Sequence, residues 1–301
     1  IEKEGSDMIE SLKGVFVPMM TPFVGDKLDE GMLAFNTEKL NMTNVAGYMP
    51  LGSNGEFAHM NDDEQLLVVK IVKKYSDSKK VLIAGIARQS AYSTIEFGKR
   101  VQDLGVDYVS VLTPSYYASF MTDAALIQYY TAIADELEVP VLLYNCPKYA
   151  AGVTISTDVV RELSTHPNIL GMKDTSKGNI EQYLAVRQGA FRVIAGSITN
   201  FLTGLKAGAS GGVLSMANYL PEPCCHIQAL FDAGRLEEAE ALSNRLISLN
   251  KEVSGKFGVA GVKCAADLFG YKGGEVRSPL VNCTDEQREA LRQLFSEAGY
   301  L

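Results

Sequence analysis

A chain of 301 residues is long enough for one large domain with a proper core, and 47% hydrophobic with 21% charged residues is the make-up of an ordinary soluble globular protein. A formal net charge of −8 leaves no basic excess to replace phosphate counterions, which argues against a duplex-binding surface. No apolar run approaches the roughly 20 residues of a membrane span, and no secretory signal stands out.

Residues 1–7 precede Met8 and are set aside as a tag scar or trimmed tail. From there to about residue 220, short β-rich runs alternate with helical segments. The runs are Val15 to Met20, Val45 to Leu51, Val81 to Ile86, Tyr108 to Leu112, Pro140 to Tyr144, Ile169 to Lys173, Arg192 to Ala195 and Gly212 to Ser215. Their spacing suits βα units that cross back over a sheet, and several are continuously apolar, as parallel strands buried on both faces should be.

The segments between carry helix signals. "NDDEQLLVVKIVKKYS" opens on Asn61 as N-cap, has acids in its first turn and closes on Lys73 and Lys74, which suits the helix dipole at both ends. "TDAALIQYYTAIADEL" starts from Thr122 in the same style. About eight βα units in about 220 residues is the count of a (β/α)8 TIM barrel. The competing doubly wound sheet wants a glycine-rich turn after the first strand, where this chain has "MMTPFVGDK". After Asn218 the strand signal stops and "PEPCCHIQALFDAGRLEEAEALSNRLISLN" and the tail from Cys283 read as amphipathic helices. The expected organisation is an α/β barrel over 8–220 with a helical C-terminal extension over 221–301.

The five cysteines, Cys146, Cys224, Cys225, Cys264 and Cys283, are odd in number and show no CxxC spacing, which reads as reduced thiols in a cytoplasm. His59, His166 and His226 are scattered, so no zinc site is expected. Glu56 and Asp174, two carboxylates on separate strands, make a thin case for a metal.

Catalytic groups of such barrels come from the C-terminal ends of the strands. That rule selects "LGSNGEF", "TPSYY", "YNCPK", "KDTS" and "AGS". Lys173 ends an apolar strand, where burial disfavours the ammonium and a neutral amine can attack a ketone to form a Schiff base. A strand-end lysine can equally snorkel to solvent or pair with Asp174, and position alone leaves the readings level. Tyr144 ends the neighbouring strand and is a candidate general acid and base, or a core tyrosine with a satisfied hydroxyl. The Gly52–Glu56 turn reads as a carboxylate receptor or as an ordinary strand-to-helix turn. Tyr116 and Tyr117 read as loop packing or a subunit contact, and Cys146 as an inert buried thiol.

The ordered series "VPMMTPF", "GSNGEF", "TPSYY", "LLYNCP", "GMKDTS", "AGS" and "GGVLSMAN" resembles the dihydrodipicolinate synthase and N-acetylneuraminate lyase superfamily of pyruvate-handling class I aldolases, over nearly the whole stretch from Leu12 to Leu301. The resemblance implies an imine between Lys173 and a 2-oxo acid, and no other cofactor. It implies Tyr144 as proton shuttle, supported by Ser53 and by Tyr116 of a neighbouring subunit. It further implies a carboxylate held by Ser53 and Asn54, with Thr175, Gly196 and Leu214 also at the substrate. The implied partners are pyruvate and an aldehyde, and the implied assembly is a homotetramer built as a dimer of dimers. Synthases carry an arginine shortly after "YNxP", whereas this chain has "YNCPKYAAG". The motif set is closest to 4-hydroxy-2-oxoglutarate aldolases, which also have a hydroxyl residue at the position of Thr175. Dihydrodipicolinate synthase, lyases of N-acetylneuraminate or 2-keto-3-deoxy sugar acids, and a non-catalytic oxo-acid-sensing barrel are the alternatives.

Overall fold

A computed structural model describes residues 11–176 and 178–301; the expected tail at 1–7 lies outside the described residues. The strands are β1 (Gly14–Val17), β2 (Phe23–Val24), β3 (Lys27–Leu28), β4 (Gly47–Tyr48), β5 (Val81–Gly85), β6 (Tyr108–Leu112), β7 (Val141–Asn145), β8 (Ile169–Asp174), β9 (Arg192–Ala195) and β10 (Gly211–Val213). Eight of them close a barrel in the order β1-β10-β9-β8-β7-β6-β5-β4, while β2 and β3 form a separate hairpin. The eight barrel strands coincide with the eight runs expected from the sequence.

Four runs stop earlier than their hydrophobicity suggests, β5 at Gly85 and β10 at Val213 by a residue or two and β1 and β4 by more. β1 ends at Val17 and β4 at Tyr48, each followed within two residues by a proline, Pro18 or Pro50, that has no N–H for the ladder. The hairpin was missed because each of its strands has two residues, too few for any periodicity; Gly25 turns it with φ +57°.

The described residues divide into two compact units, 11–14 with Val81–Val213, and Val15–Lys80 with Leu214–Leu301. The first carries β5 to β10 and the helices α3 (Ala91–Gln102), α4 (Asp123–Glu136), α5 (Thr157–Leu163), α6 (Ile180–Val186) and α7 (Ile198–Ala207). β5, β6 and β7 are buried at every position, as strands between two layers must be. Ser90, Thr122, Ser156 and Ser197 accept from backbone N–H groups of the helices they precede, so the loops after β5, β6, β7 and β9 end in built-in caps, whereas Asn179 before α6 makes no side-chain cap. Gly171 is the close approach within this unit: a Cβ there would lie 2.5 Å from the Arg192 carbonyl oxygen on β9.

The second unit carries β1 to β4, α1 (Glu30–Asn41), α2 (Asp62–Tyr75) and the C-terminal helices α8 (Pro221–Asp232), α9 (Leu236–Asn250), α10 (Lys256–Leu268) and α11 (Asp285–Glu297). The expected cap at Asn61 is a full capping box with Glu64. A π-helical segment, Lys251–Gly255, joins α9 to α10, and α10 is broken at Gly258. Phe295 of α11 packs on Tyr219 and Phe269 with ring centroids 5.8 and 4.9 Å apart, which anchors the last helix. Among the described residues no helix is long and apolar enough to cross a membrane.

Candidate active site

β7 and β8 pair so that Tyr144 stands opposite Lys173 and Asn145 opposite Asp174. Strand side chains alternate between faces, so the first pair shares one face and the second pair the other. The Lys173 Nζ lies 4.0 Å from the centroid of the Tyr144 ring, and both residues are buried. Burial lowers the Lys173 pKa to about 8, with the neighbouring Cys146 thiol acting in the opposite sense. At pH 7 a pKa of about 8 leaves about a tenth of the amines neutral, against about one in three thousand for an unperturbed lysine. The register therefore sets a buried amine of lowered pKa beside a phenol ring.

The opposite face carries a polar network. Asp174 Oδ1 accepts from Asn145 Nδ2 at 2.8 Å and from the Ser176 N–H and Oγ at 3.0 and 2.7 Å. Asn145 Nδ2 also donates to the Tyr183 hydroxyl, which donates to the Ile155 carbonyl at 2.6 Å, and Asn145 Oδ1 accepts the Ile155 N–H. Burial raises the Asp174 pKa against the pull of these hydrogen bonds. The expected alternative of a Lys173–Asp174 pair is replaced by this network, because adjacent strand residues point to opposite faces. It ties β7, β8 and α6 together behind Lys173 and Tyr144.

Thr175 leaves β8 with its N–H and its hydroxyl both donating to the Asn145 carbonyl, at 2.9 and 2.8 Å. Its hydroxyl proton is thus spent on the backbone, and toward a ligand the oxygen acts as an acceptor. Gly196 donates to the Asp174 carbonyl at 2.6 Å, and a Cβ there would strike the Thr175 methyl at 2.5 Å. The contact admits only glycine. Thr175, Ser176, Ser197, Thr199, Asn200 and Thr203 belong to the lining of a cavity of about 500 Å³. Tyr116 and Tyr117 stack edge to face, 5.0 Å apart, and are 79% and 64% exposed; nearby Phe120 is 71% exposed.

In the second unit, Ser53 and Asn54 open a 3-10 turn, Ser53–Gly55, in the loop between β4 and α2. Ser215 donates to Asn54 Oδ1 at 3.0 Å, which orients the amide so that its Nδ2 remains the donor toward a ligand. Leu214 is fully buried, its N–H bonded to the Phe16 carbonyl at 3.1 Å. Glu56 is buried against Lys263, with Nζ to Oε1 at 2.6 Å. Among the described residues no group of three or more His, Cys, Asp or Glu side chains is placed to hold a metal. The two carboxylates weighed as metal ligands are engaged elsewhere, Glu56 with Lys263 and Asp174 with Asn145 and Ser176.

Sequence reading missed Lys263 and Asn145, both buried polar residues inside apolar elements. The signal for each was the one that drew attention to Lys173, a polar residue where the pattern demands an apolar one.

A family model described as the dihydrodipicolinate synthetase family matches residues 11–298. A probable mitochondrial 4-hydroxy-2-oxoglutarate aldolase of Emericella nidulans is 34% identical over 95% of this chain and 94% of its own length. A 4-hydroxy-tetrahydrodipicolinate synthase of Methanospirillum hungatei is 31% identical over 94% of this chain and 98% of its own. The chloride-inhibited dihydrodipicolinate synthase of Acinetobacter baumannii, solved with pyruvate, superposes with a TM-score of 0.90 at 27% identity, covering 96% of this chain and 100% of that one. The chain belongs to the dihydrodipicolinate synthetase family and is an enzyme of its carbon–carbon lyase class.

Proposed function

We propose that the protein is a Schiff-base aldolase that makes or breaks the bond between pyruvate and an aldehyde, with 4-hydroxy-2-oxoglutarate as its substrate in the cleavage direction. The observation that carries this reading is the buried Lys173 amine, with its pKa lowered to about 8, facing the Tyr144 ring.

The neutral amine of Lys173 adds to the C2 ketone, and the carbinolamine loses water with protons relayed by the Tyr144 phenol. The resulting protonated imine is an electron sink that the ketone is not. Tyr144 takes the proton of the C4 hydroxyl, the C3–C4 bond breaks, its electrons settle into the enamine and the aldehyde leaves. Protonation at C3 and hydrolysis return pyruvate and the free lysine. Ser53 and Asn54 receive the substrate carboxylate.

The relative named as a 4-hydroxy-2-oxoglutarate aldolase supports this substrate. A relative named as a 4-hydroxy-tetrahydrodipicolinate synthase supports a second reading, in which aspartate semialdehyde is the aldehyde. Lys148 and Tyr149, where synthases have an arginine shortly after "YNxP", favour the first. The exposed Tyr116, Tyr117 and Phe120 support a subunit contact through which Tyr116 reaches a neighbouring subunit's site, within the homotetramer that the family resemblance implies. All five cysteines are free, which suits a reducing compartment such as the cytoplasm.

Borohydride reduction in the presence of pyruvate, read by peptide mass, tests the imine: a reduced adduct at Lys173 is expected, and an unlabelled Lys173 refutes the reading. Assay of 4-hydroxy-2-oxoglutarate against aspartate semialdehyde with pyruvate separates the two substrates.

A further inference from the structure

We infer that Lys263 and Glu56 are positioning residues: through them the C-terminal segment holds the Gly52–Glu56 turn in the conformation that receives the substrate carboxylate. This rests on the reading of Ser53 and Asn54 given above.

Glu56 is the hinge of the turn. It separates two 3-10 turns, Ser53–Gly55 and Phe57–His59, and sits in the left-handed region at φ +54° and ψ +35°. A non-glycine residue is rarely stable there unless its surroundings hold it. Its carboxylate is held from several sides. Lys263 Nζ approaches Oε1 at 2.6 Å, the Arg277 N–H donates to Oε2 at 2.9 Å, and His59 Nδ1 lies 3.3 Å from Oε2. The Glu56 carbonyl accepts from the His59 N–H at 2.8 Å, and its own N–H donates to the Ser53 carbonyl at 3.2 Å. Glu56 is thus bonded to Ser53 through its backbone while its carboxylate is held by the C-terminal segment.

The charges that hold it come from the C-terminal segment. Lys263 is 1% exposed on α10, donates to the Glu275 carbonyl at 2.6 Å and lies 4.7 Å from the centroid of the Phe23 ring. The Arg277 guanidinium rests 4.2 Å from the same ring, bonds the His59 carbonyl and grips Glu64 through two nitrogens at 3.0 and 2.8 Å. A glycine is required at 273, where a Cβ would lie 2.1 Å from the Lys263 carbonyl oxygen, so the chain returns tightly over the lysine. A buried ion pair of this kind contributes little net stability compared with an apolar pair of similar size, but removing one partner strands a charge. Its retention beneath a ligand-receiving turn is explained by placement of the turn.

The test uses the full chain with Lys263→Met, Glu56→Gln and the double variant. Hydrogen exchange of the backbone amides at 53–57 is expected to quicken at least tenfold in Lys263→Met while the strands β5 to β9 keep their protection. The KM for pyruvate is expected to rise about tenfold or more with kcat changed less than threefold. The double variant is expected to bind pyruvate better than Lys263→Met, because no charge is left uncompensated. If Lys263→Met does not fold, Glu56→Gln carries the same readouts. Unchanged exchange and an unchanged pyruvate KM, with only a lower melting temperature, would overturn the inference. The exchange measurement needs no turnover, so it judges the inference even if wild-type Lys173 fails to trap pyruvate.

Discussion

Lys173 and Tyr144 face each other because β7 and β8 pair residue for residue at their last positions, which sets the ammonium 4.0 Å from the ring centroid. A face-on ring attracts the cation, while burial of the amine works against it. Burial is the larger effect, since the pKa falls to about 8. This balance leaves the amine neutral more often near pH 8 than an ordinary lysine.

The pH profile follows directly. The rate at which pyruvate and cyanoborohydride label the protein is expected to climb through a pKa of about 8 and then level off, where an ordinary lysine would keep climbing. The folded pKa lies below the unfolded value, so the unfolded chain binds more protons between about pH 8 and 10.5 and stability rises with pH across that window. Below the window the cost of the buried ammonium is fully present.

Lys173→Met removes the nucleophile together with that cost. Labelling and aldol cleavage are expected to vanish, while stability at pH 7 increases by roughly 2–3 kcal/mol and loses its rise above pH 8. Thermal melts of both proteins at pH 7 and 9 check the sign.

Tyr144→Phe keeps the ring beside the amine and deletes the phenol. Cleavage is expected to drop about 100- to 10,000-fold, the range of a lost general acid–base group, with the melting temperature nearly unchanged. Adduct formation should persist at a lower rate, which single-turnover trapping resolves from the cleavage step.

Asp174→Ala strips the acceptor from Asn145 and Ser176, which donate to it at 2.8 and 2.7 Å. Stranded donors in a dry site cost about 1–3 kcal/mol each, so a loss of roughly 2–4 kcal/mol is expected in urea unfolding. Asp174→Asn, which keeps one oxygen acceptor, should lose less than half as much.

If Tyr116 serves a neighbouring subunit, the exposed aromatic patch is an interface. Phe120→Glu is expected to shift sedimentation toward smaller species and to lower kcat, since Phe120 is 71% exposed in the single chain. An unchanged assembly with full activity would remove Tyr116 from the mechanism.

Much of the fold was legible because the information is local. Parallel strands buried on both faces must be apolar throughout, so β5 to β9 stand out as runs; the capping of Asn61 and Thr122 depends only on the next three residues. Prolines 18 and 50 ended β1 and β4 early for an equally local reason, yet hydrophobicity alone does not register a missing N–H. Lys173 and Tyr144 could be named from the sequence as candidates because they stand at strand ends, and Ser53 because it lies in the turn that follows a strand, whereas Asn54 came only from the family resemblance. The tertiary structure alone decided the register that sets Tyr144 opposite Lys173, the burial that lowers the amine's pKa, and the turning of Asp174 away to Asn145. It alone joined Glu56 to Lys263, two charges far apart in the chain. Pairing, desolvation and charge compensation depend on which residues meet across space, and a linear pattern carries that only where neighbours in space are also neighbours in sequence.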